Sequence, residues 1–151
     1  MLGIVYKSTG NEFLVKTTSK KLYKCKLKGR FRTYDIKSTN PVSVGDNVKF
    51  HVENIEQKTG VIYEIEKRKN YIIRKSVNLS KESHILASNI DCCFLFVTPS
   101  KPETTTTFID RILVSTKSYN INTIILFNKV DLYTEKEKDF IKSLIKIYTQ
   151  I

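Results

Sequence analysis

The sequence predicts a β + α/β protein: a five-stranded barrel of the OB type, then a partial parallel α/β unit. Three observations predict it. Short β-rich runs crowd the first 66 residues, basic charge is confined to the first half, and residues 83–151 alternate apolar runs with helical spacing.

The barrel runs lie at 2–6, 13–17, 21–27, 47–52 and 61–66, separated by turns that carry Gly10, Asn40-Pro41, Gly45-Asp46 and Gly60. Five such runs with glycine-bearing turns fit a small closed barrel; an OB barrel is the first expectation and an SH3-like barrel its competitor. Residues 67–82 are polar and basic without a sustained period, which predicts a linker. Residues 89–97 then form a continuous apolar run, as in a parallel strand buried on both faces. A loop over 99–107 leads to a helix start at Thr107 and Asp110, ahead of Ile109, Ile112 and Leu113. Residues 122–127 read as a second buried strand. Thr134 and Glu137 form a capping-box pattern before Phe140, Ile141, Leu144, Ile145 and Tyr148 at helical spacing. The order β-α-β-α implies a parallel sheet. Two strands cannot cover both faces of one, so an incomplete unit is expected. The predicted division is therefore a barrel at 1–66, a basic linker at 67–82 and a partial α/β domain at 83–151.

Composition narrows the classes. No apolar run approaches the roughly 18–20 residues of a membrane span. Met1-Leu2-Gly3-Ile4-Val5-Tyr6-Lys7 lacks the basic-then-apolar order of a secretion signal. A cytoplasmic protein without a membrane partner is expected. Cys25, Cys92 and Cys93 show no paired spacing, and His51 and His84 have no neighbouring ligand pattern, so no zinc site is expected from this chain. Net charge is +11, with 17 basic against 7 acidic residues in 1–75 and 9 against 8 in 76–151. A basic half beside a near-neutral half argues for two units with different partners.

Charge is densest in Lys24-Cys25-Lys26-Leu27-Lys28-Gly29-Arg30-Phe31-Arg32. On a strand, period two places Lys24, Lys26, Lys28, Arg30 and Arg32 on one face, about 6–7 Å apart. Such a track can follow a phosphate backbone, with salt-sensitive affinity and little sequence information. Phe31 and Tyr34 could stack on unpaired bases, although single aromatics more often belong to a core. A solvated, lysine-guarded strand face is the competing account.

The sharpest local feature is Asn128-Lys129-Val130-Asp131, placed directly after the second apolar strand and before the capped helix. Ligands of open α/β sheets bind at strand carboxyl ends. A carboxylate at Asp131 can accept two hydrogen bonds from the N1–H and exocyclic amine of guanine, a donor pair that adenine lacks. The Asn128 amide can bridge to the base or brace the loop, and the Lys129 stem can lie over the ring. A site of this kind rejects adenine, because the carboxylate would be left unpaired.

Taken together, the chain resembles the circularly permuted ribosome-assembly GTPases of the RsgA (YjeQ) type. The resemblance rests on the order Lys28-Gly29-Arg30-Phe31-Arg32, Val44-Gly45-Asp46, Arg68-x-Asn70 with Arg74, Asn89-Ile90-Asp91, Asp110-Arg111-Ile112-Leu113 and Asn128-Lys129-Val130-Asp131-Leu132. It implies an N-terminal OB domain that binds small-subunit ribosomal RNA. It also implies a P-loop GTPase-like domain whose guanine motif precedes its phosphate loop, and a zinc-binding tail. GTP or GDP, magnesium and zinc are thus implied for a complete member, with Asn128 and Asp131 reading guanine and Lys129 flanking it. All five glycines lie at 3, 10, 29, 45 and 60, so nothing after Gly60 supplies Gly-x-x-x-x-Gly-Lys-Ser/Thr or Asp-x-x-Gly. The expectation is a GTP-binding, rRNA-binding small-subunit biogenesis factor truncated before its phosphate loop, without catalytic residues or ligands for either metal. It should be inactive alone and hold guanine nucleotide weakly or not at all. The alternatives are a stand-alone OB-type RNA-binding module without hydrolysis, and an OB protein that binds DNA.

Overall fold

The computed structural model describes residues 1–29, 41–75 and 83–150, which form two compact units, Met1–Ile90 and Asp91–Ile151. In the first, β1 (Leu2–Thr9), β2 (Glu12–Thr17), β3 (Leu22–Leu27), β4 (Asn47–Asn54) and β5 (Thr59–Ile65) close into a barrel. The strand order is β1-β2-β3-β5-β4. Adjacent strands are antiparallel except β3 and β5, which run parallel because β4 separates them in sequence and closes against β1 instead. That crossover order is OB-type and disposes of the SH3-like alternative. Alternation explains the closure: Val5, Phe13, Val15, Tyr23, Cys25, Val48, Phe50 and Ile62 point inward and fill the core with Val42. Tyr23 and Phe50 meet there with ring centroids 5.3 Å apart at a tilt of 53°.

Where the sequence suggests a linker over 67–82, the described part carries β6 (Tyr71–Lys75), paired antiparallel with β7 (Ser83–Ser88). The β-favouring Tyr71-Ile72-Ile73 is hidden in the sequence by its basic flanks. The first compact unit consequently runs through Ile90. A buried carboxylate fastens the hairpin to the barrel. Asp46, fully buried, takes Arg68 Nε and Nη2 at 2.7 Å each, Ser88 Oγ at 2.6 Å and the Ser43 amide at 2.8 Å. Gly45 beside it has φ +89, and a Cβ there would lie 2.0 Å from the Ser88 carbonyl oxygen. Only glycine permits that approach. Asn70 exchanges two hydrogen bonds with Ile90, and the Asn89 amide donates to the Gly45 carbonyl.

The second unit pairs β8 (Cys92–Val97) with β9 (Asn122–Phe127) in parallel. α1 (Thr106–Ser118) connects them, and α2 (Glu135–Tyr148) follows a single 3-10 turn at Val130–Leu132. The α1 cap is Thr105, whose hydroxyl accepts from the Phe108 amide, rather than Thr107. A run of four threonines at 104–107 leaves that choice open in sequence. The Thr134–Glu137 capping box is formed as expected. Leu95, Val97 and Ile109 make the core, with Ile125 and Phe127 packed against it. β8 is thus buried on one face, whereas Phe94 and Phe96 on the other are exposed. Among the described residues no helix is long and apolar enough to cross a membrane.

Candidate functional site

The parallel register brings Val97 and Phe127, the last residues of β8 and β9, side by side. The Asn128 amide then donates to the Val97 carbonyl at 2.9 Å, so both following loops leave from the same sheet edge. Lys129 takes the left-handed conformation (φ 62°, ψ 37°) and opens the 3-10 turn. This conformation is disfavoured for a side chain with a Cβ and recurs where function dictates backbone shape. Tyr133, buried, donates its hydroxyl to the Asn128 carbonyl and pins the turn from below.

The loop after β8 closes on itself through Thr98. Its hydroxyl donates to the Pro102 carbonyl at 2.5 Å, and its backbone accepts from the Thr104 amide at 2.8 Å. Two contacts join this loop to the second. Lys129 Nζ donates to the Lys101 carbonyl at 2.5 Å. Glu137 accepts from Ser100 and from the Thr134 amide and hydroxyl, the latter two at 2.7 Å. The Ser100 hydrogen bond first, then those from Thr134, hold the Glu137 carboxyl down at about 2.

The sequence-predicted residues Asn128, Lys129 and Asp131 therefore share one braced turn at the strand carboxyl ends. Asn128 and Asp131 are exposed. Among the described residues no hydrogen bond or ion pair occupies the Asn128 side-chain amide or the Asp131 carboxylate. The turn therefore presents an open amide and an open carboxylate to solvent. Sequence reasoning missed Tyr133, Ser100 and Lys101. The rule that ligands meet strand carboxyl ends could have flagged the loop after β8, but nothing in sequence singles out Tyr133. A groove of about 880 Å³ in this unit lies among Leu113, Ile121, Ile125, Phe127, Leu144 and Tyr148, and its lining includes none of the three motif residues.

On the barrel, Lys24, Lys26 and Lys28 are exposed, while Tyr23 before them and Cys25 between the first two are buried. Burial, and then the nearby Glu53 charge, push the Cys25 thiol up to about 12. Arg30, Phe31, Arg32 and Tyr34 lie outside the described residues. No group of three or more His, Cys, Asp or Glu gathers as a metal site among the described residues.

An OB barrel leading into a parallel strand that ends in Asn-Lys-x-Asp, with no phosphate-loop glycines before it, defines a class. It is the circularly permuted P-loop GTPase fold with an N-terminal barrel. The model of the RsgA N-terminal domain matches residues 2–62, and that of the RsgA GTPase matches residues 65–151. The chain belongs to the RsgA GTPase family. It is 56% identical over 149 residues to the small ribosomal subunit biogenesis GTPase RsgA of Christiangramia forsetii, covering 98% of this chain and 47% of that protein. The protein of the same name from Bacteroides fragilis is 55% identical over 151 residues, covering 100% and 48%. The chain thus spans about half the length of the curated relatives it matches. Among solved structures it resembles YjeQ from Thermotoga maritima, with TM-score 0.71 and 32% identity over 99% of this chain and 49% of that one. It also resembles YloQ, a circularly permuted GTPase, with TM-score 0.67, 27% identity and coverage of 99% and 48%.

Proposed function

We infer that this chain is the RNA-addressing and base-reading part of a guanine-nucleotide-binding factor for small ribosomal subunit biogenesis in the cytoplasm. The observation that carries the reading is the exposed Asn128 and Asp131 pair on a braced turn at the carboxyl end of β9. Asp131 accepts the N1–H and the exocyclic amine of guanine, and Asn128 bridges base and loop. Lys129, its ammonium tied to Lys101, lays its stem along the ring. On the barrel, Lys24, Lys26 and Lys28, with Arg30, Phe31 and Arg32 in the same sequence run, engage small-subunit RNA through its phosphates.

GTP hydrolysis belongs to sequence outside this chain. The five glycines end at Gly60, so the sequence holds no Gly-x-x-x-x-Gly-Lys-Ser/Thr phosphate loop, and among the described residues no group of His, Cys, Asp and Glu gathers for a metal. The 151-residue chain should bind RNA, hold guanine nucleotide weakly and turn over no GTP. The test is an amide NMR titration at millimolar nucleotide. GDP should shift residues 128–132 and ADP should not. Asp131→Asn should lose the GDP response and gain one to xanthosine diphosphate, whose C2 carbonyl matches an amide donor. Equal responses to ADP and GDP, or none to either, would overturn guanine reading. GTP hydrolysis by the purified chain that Asp131→Asn abolishes would overturn the assignment of catalysis elsewhere.

A further inference from the structure

Three barrel strands lie side by side on one outer face. The register sets Lys26 beside Val61 and Val61 beside His51, all directed away from the core, while Cys25, Gly60, Ile62 and Phe50 face inward. The Lys28 amide donates to the Ile62 carbonyl at 3.0 Å, which puts Lys28 opposite Tyr63. Across β5 and β4, Tyr63 and His51 stack face to face, with centroids 4.3 Å apart and planes at 20°. Core rings in this barrel meet at a tilt instead, as Tyr23 and Phe50 do at 53°. His51 is exposed, which leaves this stack within reach of solvent.

Charge divides across the same face. Lys49 on β4 is neutralised by Glu64 at 2.7 Å, and Glu53 lies two residues beyond His51. Lys24, Lys26 and Lys28 have no ion pair among the described residues. Uncompensated cations therefore run along β3 while the π-stack stands on β4 and β5. Two strand spacings, about 10 Å, separate β3 from β4, a reach comparable with that from a phosphate through its ribose to the base.

We propose that the His51–Tyr63 stack is a base-stacking platform for single-stranded RNA whose phosphates follow Lys24, Lys26 and Lys28. The ring faces supply sequence-tolerant stacking, and the lysines supply the salt-dependent attraction. The platform rests on the RNA-binding reading above, and the two can fail separately. The test uses the 151-residue chain and a single-stranded RNA oligomer carrying 2-aminopurine, read by anisotropy and by fluorescence quenching over a salt series. His51→Ala should weaken binding about 5- to 100-fold, the equivalent of removing one base stack. It should relieve the quenching and leave the salt slope unchanged. His51→Phe should restore both affinity and quenching, which a merely folded-state role would not require. Lys24→Ala with Lys26→Ala should instead lower the slope by about 0.7 for each phosphate left without its lysine. Unaltered affinity and quenching in His51→Ala, beside weakened lysine variants, would remove the platform and leave RNA binding standing. No effect from either set would remove this face as the RNA site, and no binding by the unsubstituted chain would remove RNA binding itself. Tighter binding to single-stranded DNA than to RNA at equal salt would overturn the assignment to RNA.

Discussion

The two units bury a β-sheet in opposite ways. In Met1–Ile90 the sheet closes on itself, so inward residues such as Val15, Phe50 and Ile62 are shut off from solvent. In Asp91–Ile151 two parallel strands have α1 over one face, and on the other Phe94 and Phe96 stay 57% and 62% exposed. Closure removes sheet edges and makes a unit self-sufficient; an open two-stranded sheet keeps both edges and one apolar face. The difference also separates the roles. A closed barrel offers a rigid outer face for a charged track, whereas an open parallel sheet offers its carboxyl ends.

The sharpest way to break that contrast is at the carboxylate fastening the first unit. Asp46→Ala leaves the Arg68 guanidinium without its counter-charge and Ser88 and the Ser43 amide without their acceptor. Removing one partner of such a pair costs about 3–5 kcal/mol. Urea unfolding should show that loss, with amide protection vanishing together in the barrel and in β6–β7. Barrel protection that outlasts the hairpin would show that the first unit is two cooperative bodies instead of one.

The second unit should respond by face. Ile109→Ala opens a cavity in its small core and should cost about 2–4 kcal/mol, melting Asp91–Ile151 while barrel amides stay protected. Phe96→Ser removes a mostly exposed ring and should move stability by no more than about 0.5 kcal/mol while raising solubility. A loss as large as that of Ile109→Ala would mean that Phe96 is covered in solution.

Period-two alternation made the barrel legible, because each strand from Leu2 to Ile65 carries its own in–out pattern. The turn at Asn128–Asp131 was legible because all its side chains are contiguous. What stayed hidden depends on pairing between distant segments. Tyr71-Ile72-Ile73 becomes a strand only opposite β7, and Asp46 finds Arg68 across 22 residues. His51 and Tyr63 stack through a β4–β5 register that shifts between Lys49 and Phe50, an irregularity no single-strand pattern announces. Phe94 and Phe96 misled for the opposite reason. An apolar run signals burial on both faces, yet only the α1 side is covered.

The smallest expected effect is the most local, and it tests how the two loops of the second unit hold together. Glu137 links them, and its carboxyl lies at about 2 in place of the ordinary 4.5, through Ser100 first and Thr134 next. A carboxyl held below its unfolded value favours the folded state in its ionised form. That contribution is whole above about pH 4.5 and is lost as pH falls toward 2. Acidification through this window should fray the first turn of α2 and loosen the loop from Thr98 to Thr104, while barrel amides report no change at Glu137's midpoint. Because the carboxyl stands in solvent, the loosening should be local and leave global unfolding nearly unmoved. Glu137→Gln should show the frayed turn already at neutral pH. An NMR titration of the Glu137 side chain decides the matter: a midpoint near 4.5 would mean that Ser100 and Thr134 do not hold it, and that the turn at Asn128–Asp131 is braced by Tyr133 and Lys129 alone.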